Sequence, residues 1–395
     1  MIDFSLTDEQ KALQEMAREF AEKEMKPNAA KYDKGDEFPQ EIMEKAFEVG
    51  FITCEIPNEY GGGGLSHVDT VIISEELAWG CAGMYTTIMA SSLAYTPIIL
   101  FGTDEQKKKF LIPCTEKLSF ASFCLTEREA GSDAGSLKTT AKKVGDEYII
   151  NGSKCFITNG GLASLYVVFA LTNPGKGARG MSAFIVPRET PGIVIGKEED
   201  KMGHRASNTA ELFFEDVKVP AENLLGREGM GFIIAMKTLD HTRAPVGAAG
   251  VGVARAALEY AVEYTKTRIQ FGKPIALFQN TAFKIAQMAA ENKCCSPSSV
   301  ACCLANGSGD TLHSGICHGQ DVWVGCGDEG DYRSLAIVRW LWLHEGLSHG
   351  KAHAGCKVTP DLRRDQRDSK VSYFPRGNRA HKKLSFLPLT GNLFF

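Results

Sequence analysis

A surplus of charge of either sign is what this sequence lacks most plainly: 44 Lys and Arg stand against 48 Asp and Glu, a net charge of −4 over 395 residues. That balance supplies no electrostatic reason to expect nucleic acid or an anionic membrane as partner. The stretch Met1 to Gln10 has neither a basic segment nor an apolar core, so it does not read as a signal peptide. No apolar window approaches transmembrane length. The expectation is a soluble, cytoplasmic protein. Cysteine is sparse over the first 293 residues: Cys54, Cys81, Cys114, Cys124 and Cys155 are scattered, as free thiols in a reducing compartment would be. Two phosphate-binding signals are missing as well. Gly61 to Gly64 are not followed by Lys-Ser/Thr, so they form no P-loop. Gly250-Val-Gly-Val-Ala-Arg255 has no strand before it and Arg in place of the third glycine, so it reads as close helix packing.

What is present divides the chain. A capping box at Thr7-Asp-Glu-Gln10 precedes apolar residues at helical spacing from Leu13 to Ala21, and Pro27 ends that run. A second helix starts at Pro39 and stops at Gly50; further helical patterns run over 68–79, 84–101 and 104–110. Residues 1–118 therefore read as an α-helical domain. The period then changes from 3.6 to 2. Alternating runs flank Gly145-Asp146, Asn151-Gly152 adds a strong hairpin signal, and short β patterns continue through 165–171, 181–186 and 211–219. Residues 119–228 read as a middle β domain, a small barrel or sandwich. Helix returns over 232–267 and 277–291, with a loop at 268–274, and residues 229–292 begin a C-terminal helical bundle.

At the first boundary lies Ala121 to Gly135. Phe120, Ser122 and Cys124 alternate with Phe123 and Leu125 as in a strand, which opens into a loop holding Thr126, Glu127, Gly131, Ser132 and Asp133. Hydroxyls and free backbone N–H groups beside an anchoring strand suit a flat polar cofactor. A surface turn punctuated by Gly131 and Asp133 fits the same residues.

Five segments in order decide between them: Thr126-Glu127 with Ala130-Gly-Ser-Asp133, Phe156-Ile-Thr-Asn-Gly-Gly161, Phe214-Glu-Asp-Val-Lys-Val-Pro220, Leu239-Asp-His-Thr-Arg243 and Gln270-Phe-Gly-Lys273. With them, the chain up to about residue 290 resembles the acyl-CoA dehydrogenases, nearest the short- and medium-chain members. The resemblance implies helical domains around a middle β domain, FAD, a homotetramer, and electron transfer to an electron-transfer flavoprotein. It implies oxidation of an acyl-CoA to the trans-2-enoyl-CoA, or the reductive counterpart. By position, it places Phe123, Leu125 and Thr126 along the flavin ring, with Thr126 bonding it, and Phe156 and Thr158 over the other side, where many relatives have Trp for Phe156. It brings Arg268, Gln270, Phe271 and Gln279 to the FAD of a neighbouring subunit, Ser132 to both FAD and acyl-CoA, and Asp240 and Arg243 to the acyl-CoA. The pocket floor would come from the helix around Met84 to Leu93. Without the resemblance, Asp240 and Arg243 are an ordinary helical ion pair, and Phe123 and Phe156 ordinary core aromatics.

The chemistry needs a base for the weakly acidic α-proton, and a desolvated carboxylate suits that task. Most of the family place this glutamate near the C-terminus in a Tyr-Glu-Gly-Thr segment. A minority place it on the long helix, just before the arginine matching Arg243, where this chain has Thr242. From residue 292 the resemblance stops. Seven of the twelve cysteines, six of nine histidines and three of four tryptophans lie beyond Lys293. Cys294, Cys295, Cys302, Cys303, His313, Cys317 and His318 fit no standard zinc spacing, so no metal site is assigned. Reverse-translated and read from each second base, Arg339 to Leu343 permit Gly-Gly-Tyr-Gly-Tyr. Pro360 to Asp368 likewise permit Gln-Ile-Tyr-Glu-Gly-Thr-Asn-Glu-Ile, the family's own C-terminal order. Residues 293–395 are therefore expected to be an out-of-frame tail. The family's glutamate codon would straddle Arg363 and Arg364, leaving this chain with no assigned catalytic residue. The competing class is a non-catalytic flavin or CoA binder with a metal-binding Cys/His tail.

Overall fold

Capping chemistry sets where the first helices begin. The computed structural model describes residues 5–34 and 37–307, with side chains to residue 293. The expectations for side chains from Cys294 onward, and for Arg363 and Arg364, lie outside the described residues. Helix α1 (Asp8–Phe20) starts at Thr7, whose hydroxyl accepts from the Gln10 amide while the Gln10 side chain accepts from the Thr7 amide. This reciprocal cap satisfies donors that a helix start otherwise orphans. After the short α2 (Ala29–Tyr32), Pro39 precedes α3 (Gln40–Glu48). Ser66 with Asp69 and Thr103 with Gln106 repeat the capping box at α4 (His67–Gly80) and α6 (Asp104–Glu116).

Helix α5 (Ala82–Phe101) corrects the reading that no apolar window is long enough to span a bilayer. By length and composition it qualifies, alone among the described helices, but 67% of its most apolar window is buried inside the protein. It is a core helix, packed on the sheet and on the long C-terminal helix.

The period-2 residues form one eight-stranded sheet: β1 (Ala121–Cys124), β2 (Thr140–Val144), β3 (Glu147–Thr158), β4 (Leu165–Leu171), β5 (Met181–Pro187), β6 (Ile193–Glu198), β7 (Thr209–Pro220) and β8 (Leu224–Leu225). The order is β6-β7-β3-β2-β4-β5-β8, with β1 parallel to β4. Strands β2 and β4 meet at a single pair, Thr140 with Leu171, so two half-sheets join at a narrow seam. The tight turn between β2 and β3 falls at Gly145-Asp146, with Gly145 at φ +62°. It does not fall at Asn151-Gly152. That pair sits inside β3 at a register shift, where a Cβ on Gly152 would lie 2.4 Å from Thr139 Oγ1. Asn151 there clasps Asp216 of β7 through two bonds of 2.9 Å. The dipeptide serves a bulge and a close approach of neighbouring backbone.

Helix α7 (Gly231–Thr267) crosses the molecule, and a two-residue hairpin, β9 (Ile269–Gln270) and β10 (Lys273–Pro274), leads to α8 (Gln279–Gly307). The glycines of 250–255 serve helix packing as expected: a Cβ on Gly252 would lie 2.1 Å from the Glu75 carbonyl oxygen of α4. One turn on, Arg255 pairs with Glu75 at 2.6 Å and with Glu76, locking the same two helices. Three buried apolar clusters result among the described residues. One joins Phe51, Trp79 and Met84 to Ile150, Phe214 and Val253; a second joins Tyr95 and Phe110 to Phe169, Ile185 and Ile234; a small third joins Val71 to Ala244, Ala248 and Val251.

Candidate active site

Residues 121–135 are anchored far more firmly than a surface turn. Lys154 of β3 is fully buried and donates to the Leu125 carbonyl at 3.0 Å and to Glu127 Oε1 at 2.7 Å. Glu127 also accepts from the backbone N–H of Lys138 (2.6 Å) and of Thr139 (3.1 Å). Burial pushes the Glu127 carboxyl up, but Lys154 and these donors outweigh it and hold it below the usual carboxylate range. Burial in turn lowers Lys154. The Thr126 carbonyl accepts from the Cys155 amide at 3.0 Å, and Ser122 Oγ donates to the Thr158 carbonyl at 2.8 Å. The strand, its loop and the end of β3 therefore run side by side.

This arrangement sets the backbone of residues 122–126 beside that of residues 155–158. Phe123 is half-buried against Phe169, ring centroids 4.8 Å apart. Thr126 is half-buried. Phe156 stands at φ +57° and is 59% exposed, an unusual state for a bulky residue in a strand. The register shift between Lys154 and Ile157 produces it. Leu125 lies in the core. Ser132 is exposed at the loop tip.

Thr158 also lines a cavity of about 120 Å³ between α5, the end of β3 and α7. Tyr85, Thr86, Met89, Ala90, Ser92 and Leu93 of α5 form one wall. Leu239, Thr242, Pro245 and Val246 of α7 form another. His204 closes a side, its Nδ1 2.7 Å from Thr86 Oγ1. Asp240 Oδ1 and Arg243 Nε pair at 3.2 Å with both side chains largely buried, so this is a held guanidinium rather than a solvated pair.

The remaining expected residues sit elsewhere. Arg268, Gln270 and Phe271 occupy the hairpin beyond α7, and Gln279 opens α8. Phe271 and Gly272 both have positive φ, as a tight hairpin turn requires, and Phe271 is 92% exposed. Sequence reasoning missed Glu55, His67 and His241, which offer ligand atoms within 4.8 Å of one another beside the cavity. Twelve and 174 positions separate them, so no motif announces them.

An exposed aromatic ring, nearby hydroxyls and a small, mostly apolar cavity suit a flat cofactor and a small apolar group. Comparison with known proteins agrees. The acyl-CoA dehydrogenase N-terminal, middle and C-terminal domain models match residues 7–117, 122–217 and 229–294. The chain is 48% identical over 290 residues to an acryloyl-CoA reductase (NADH) of Anaerotignum propionicum, covering 73% of this chain and 74% of that one. It is 47% identical over 292 residues to a short-chain specific acyl-CoA dehydrogenase of Megasphaera elsdenii, covering 73% and 76%. Among solved structures, butyryl-CoA dehydrogenase from Megasphaera elsdenii superposes with a TM-score of 0.87 at 39% identity, over 91% of this chain and 95% of that one. A structure described as an electron transferring flavoprotein of Acidaminococcus fermentans gives 0.87 at 40% identity, over the same shares. The chain belongs to the acyl-CoA dehydrogenase family, a family of flavin-dependent oxidoreductases.

Proposed function

We propose that this chain is built to hold FAD and a short-chain acyl-CoA for α,β-dehydrogenation, with electrons passed to an electron-transfer flavoprotein, and that its tail omits the base. One observation carries the binding half: Phe156, strained and exposed, adjoins Thr158, which opens onto the cavity, and Thr126, which is tied to β3 at Cys155. FAD supplies the hydride acceptor for the β-carbon. This chain's residues would supply the frame: Phe123 and Phe156 would offer ring faces, Thr126 and Thr158 hydroxyls, and Arg243, held by Asp240, a charge for the acyl-CoA. The cavity is smaller than the roughly 150 Å³ that admits benzene. That size suits a butyryl-length chain, and the short-chain relatives support it.

Arg268 lies 25 residues beyond Arg243, about 37 Å along α7 at 1.5 Å per residue. Arg268, Gln270, Phe271 and Gln279 therefore suit the flavin of another subunit in a homotetramer. The C-terminal family model stops at residue 294. Downstream, an inserted base near codon 292 accounts for the composition, and the family glutamate is lost between Arg363 and Arg364. Thr242 occupies the alternative position of that base. The test is the visible spectrum of purified protein with butyryl-, octanoyl- and isovaleryl-CoA. Expected are bound flavin, a perturbation strongest with butyryl-CoA, and no bleaching. Bleaching at an ordinary enzymatic rate refutes the loss of the base; absence of any flavin refutes the binding half.

A further inference from the structure

Three segments distant in sequence converge behind one wall of the acyl cavity. Glu55 comes from the turn at 52–55, His67 is the first residue of α4, and His241 lies on α7. His241 Nε2 is 3.6 Å from Glu55 Oε1, and the rings of His67 and His241 lie 4.4 Å apart at a 37° tilt. His67 is the unexplained member. Both its ring nitrogens are shut off from solvent, and neither has a hydrogen-bond partner. A buried polar group left unpaired costs roughly 1–3 kcal/mol, and a bound water or ion is a standard reason for one to persist. The nearest other acid on α4, Asp69, is committed to capping Ser66 and to the Gln10 amide, so it does not relieve His67.

We propose that Glu55, His67 and His241 form a binding site for a zinc-class divalent cation, set against the wall of the acyl cavity. Two imidazole nitrogens and one carboxylate oxygen are a common zinc set, bound at roughly 2.0–2.2 Å, and three protein ligands leave a fourth position open. A bound cation satisfies the orphan ring and ties the 52–55 turn to α4 and α7. Glu55 also lines the cavity, so occupancy at this site acts on the acyl pocket directly. The proposal does not depend on flavin binding.

The test uses the full chain, stripped with a chelator and titrated with Zn²⁺ by calorimetry, with X-ray absorption to read the ligand shell. The shell matters because the seven cysteines from Cys294 onward offer thiolates, whose bonds to zinc are about 2.3 Å rather than 2.0–2.1 Å. Expected is one zinc per chain on nitrogen and oxygen alone, weakened at least tenfold in Glu55→Gln and in His67→Leu. Should His67→Leu fail to fold, His241→Gln, at a partly exposed side chain, carries the same expectation. Zinc bound only to sulfur, no bound zinc, or a nitrogen and oxygen site of unchanged affinity in the folded variants overturns the proposal.

Discussion

Phe156 carries more information than any other single residue. A bulky side chain at φ +57° costs on the order of 1 kcal/mol, and an exposed ring returns little of it by burial. The bulge at Lys154 and Ile157 holds this ring at the surface, and flavin binding is the role proposed for it. Phe156→Gly is therefore expected to leave the melting temperature unchanged or higher while FAD affinity falls about tenfold, the size of one ring contact. A flavin fluorescence titration beside a thermal melt reads both, and the reverse pattern would return Phe156 to a packing role. Thr242→Glu tests the missing base from the other direction. Thr242 is 7% exposed and faces the cavity. A carboxylate there is expected to raise deuterium exchange at the α-carbon of bound butyryl-CoA by about 10²-fold or more, the usual reach of a positioned base. At this scale the sequence was partly legible. Local motifs named Phe156 and Thr126, whereas the orphan ring of His67 exists only because α4 and α7 close on it.

Among elements, the buried Lys154 and Glu127 pair links β3 to the 126–139 loop. The Glu127 carboxyl sits below its ordinary 4.5 in the folded protein, so the unfolded chain takes up a proton first on acidification. Its stabilisation is complete above about that value and is lost as pH falls through the lower folded one. Urea midpoints between neutral and acid pH should decline accordingly. Lys154→Met should lose about 3–5 kcal/mol at neutral pH by stranding the carboxylate, with a shallower acid decline. Gly252→Ala should also destabilise, by roughly 1–3 kcal/mol, because its methyl meets the Glu75 carbonyl. A lower urea midpoint at constant slope would register it; an unchanged midpoint would mean α4 and α7 yield there. Helix starts were legible because capping boxes act within four residues. The Asn151-Gly152 signal misled because Thr139 and Asp216, both distant in sequence, claim that stretch for a bulge.

In the whole molecule, the order helix, sheet, helix was readable from the change of hydrophobic period alone. One outer surface is apolar. Phe271, Leu277 and Phe283 are 92%, 64% and 65% exposed on the hairpin, the segment after it and α8. Such a face is expected to drive self-association. Phe283→Lys should lower the mass measured by light scattering on a sizing column, and an unchanged mass would remove α8 from that contact. The narrow seam at Thr140 and Leu171 has a dynamic consequence. Its Leu171 N–H bonds the Thr139 carbonyl, while the Thr139 N–H bonds the same Glu127 that fastens the loop. Two leaves held by one stitch part first at the stitch. Backbone deuterium uptake should therefore begin at Thr139 and Leu171, ahead of the fully laddered middle of β4, and every such opening loosens the grip on whatever ring the loop holds.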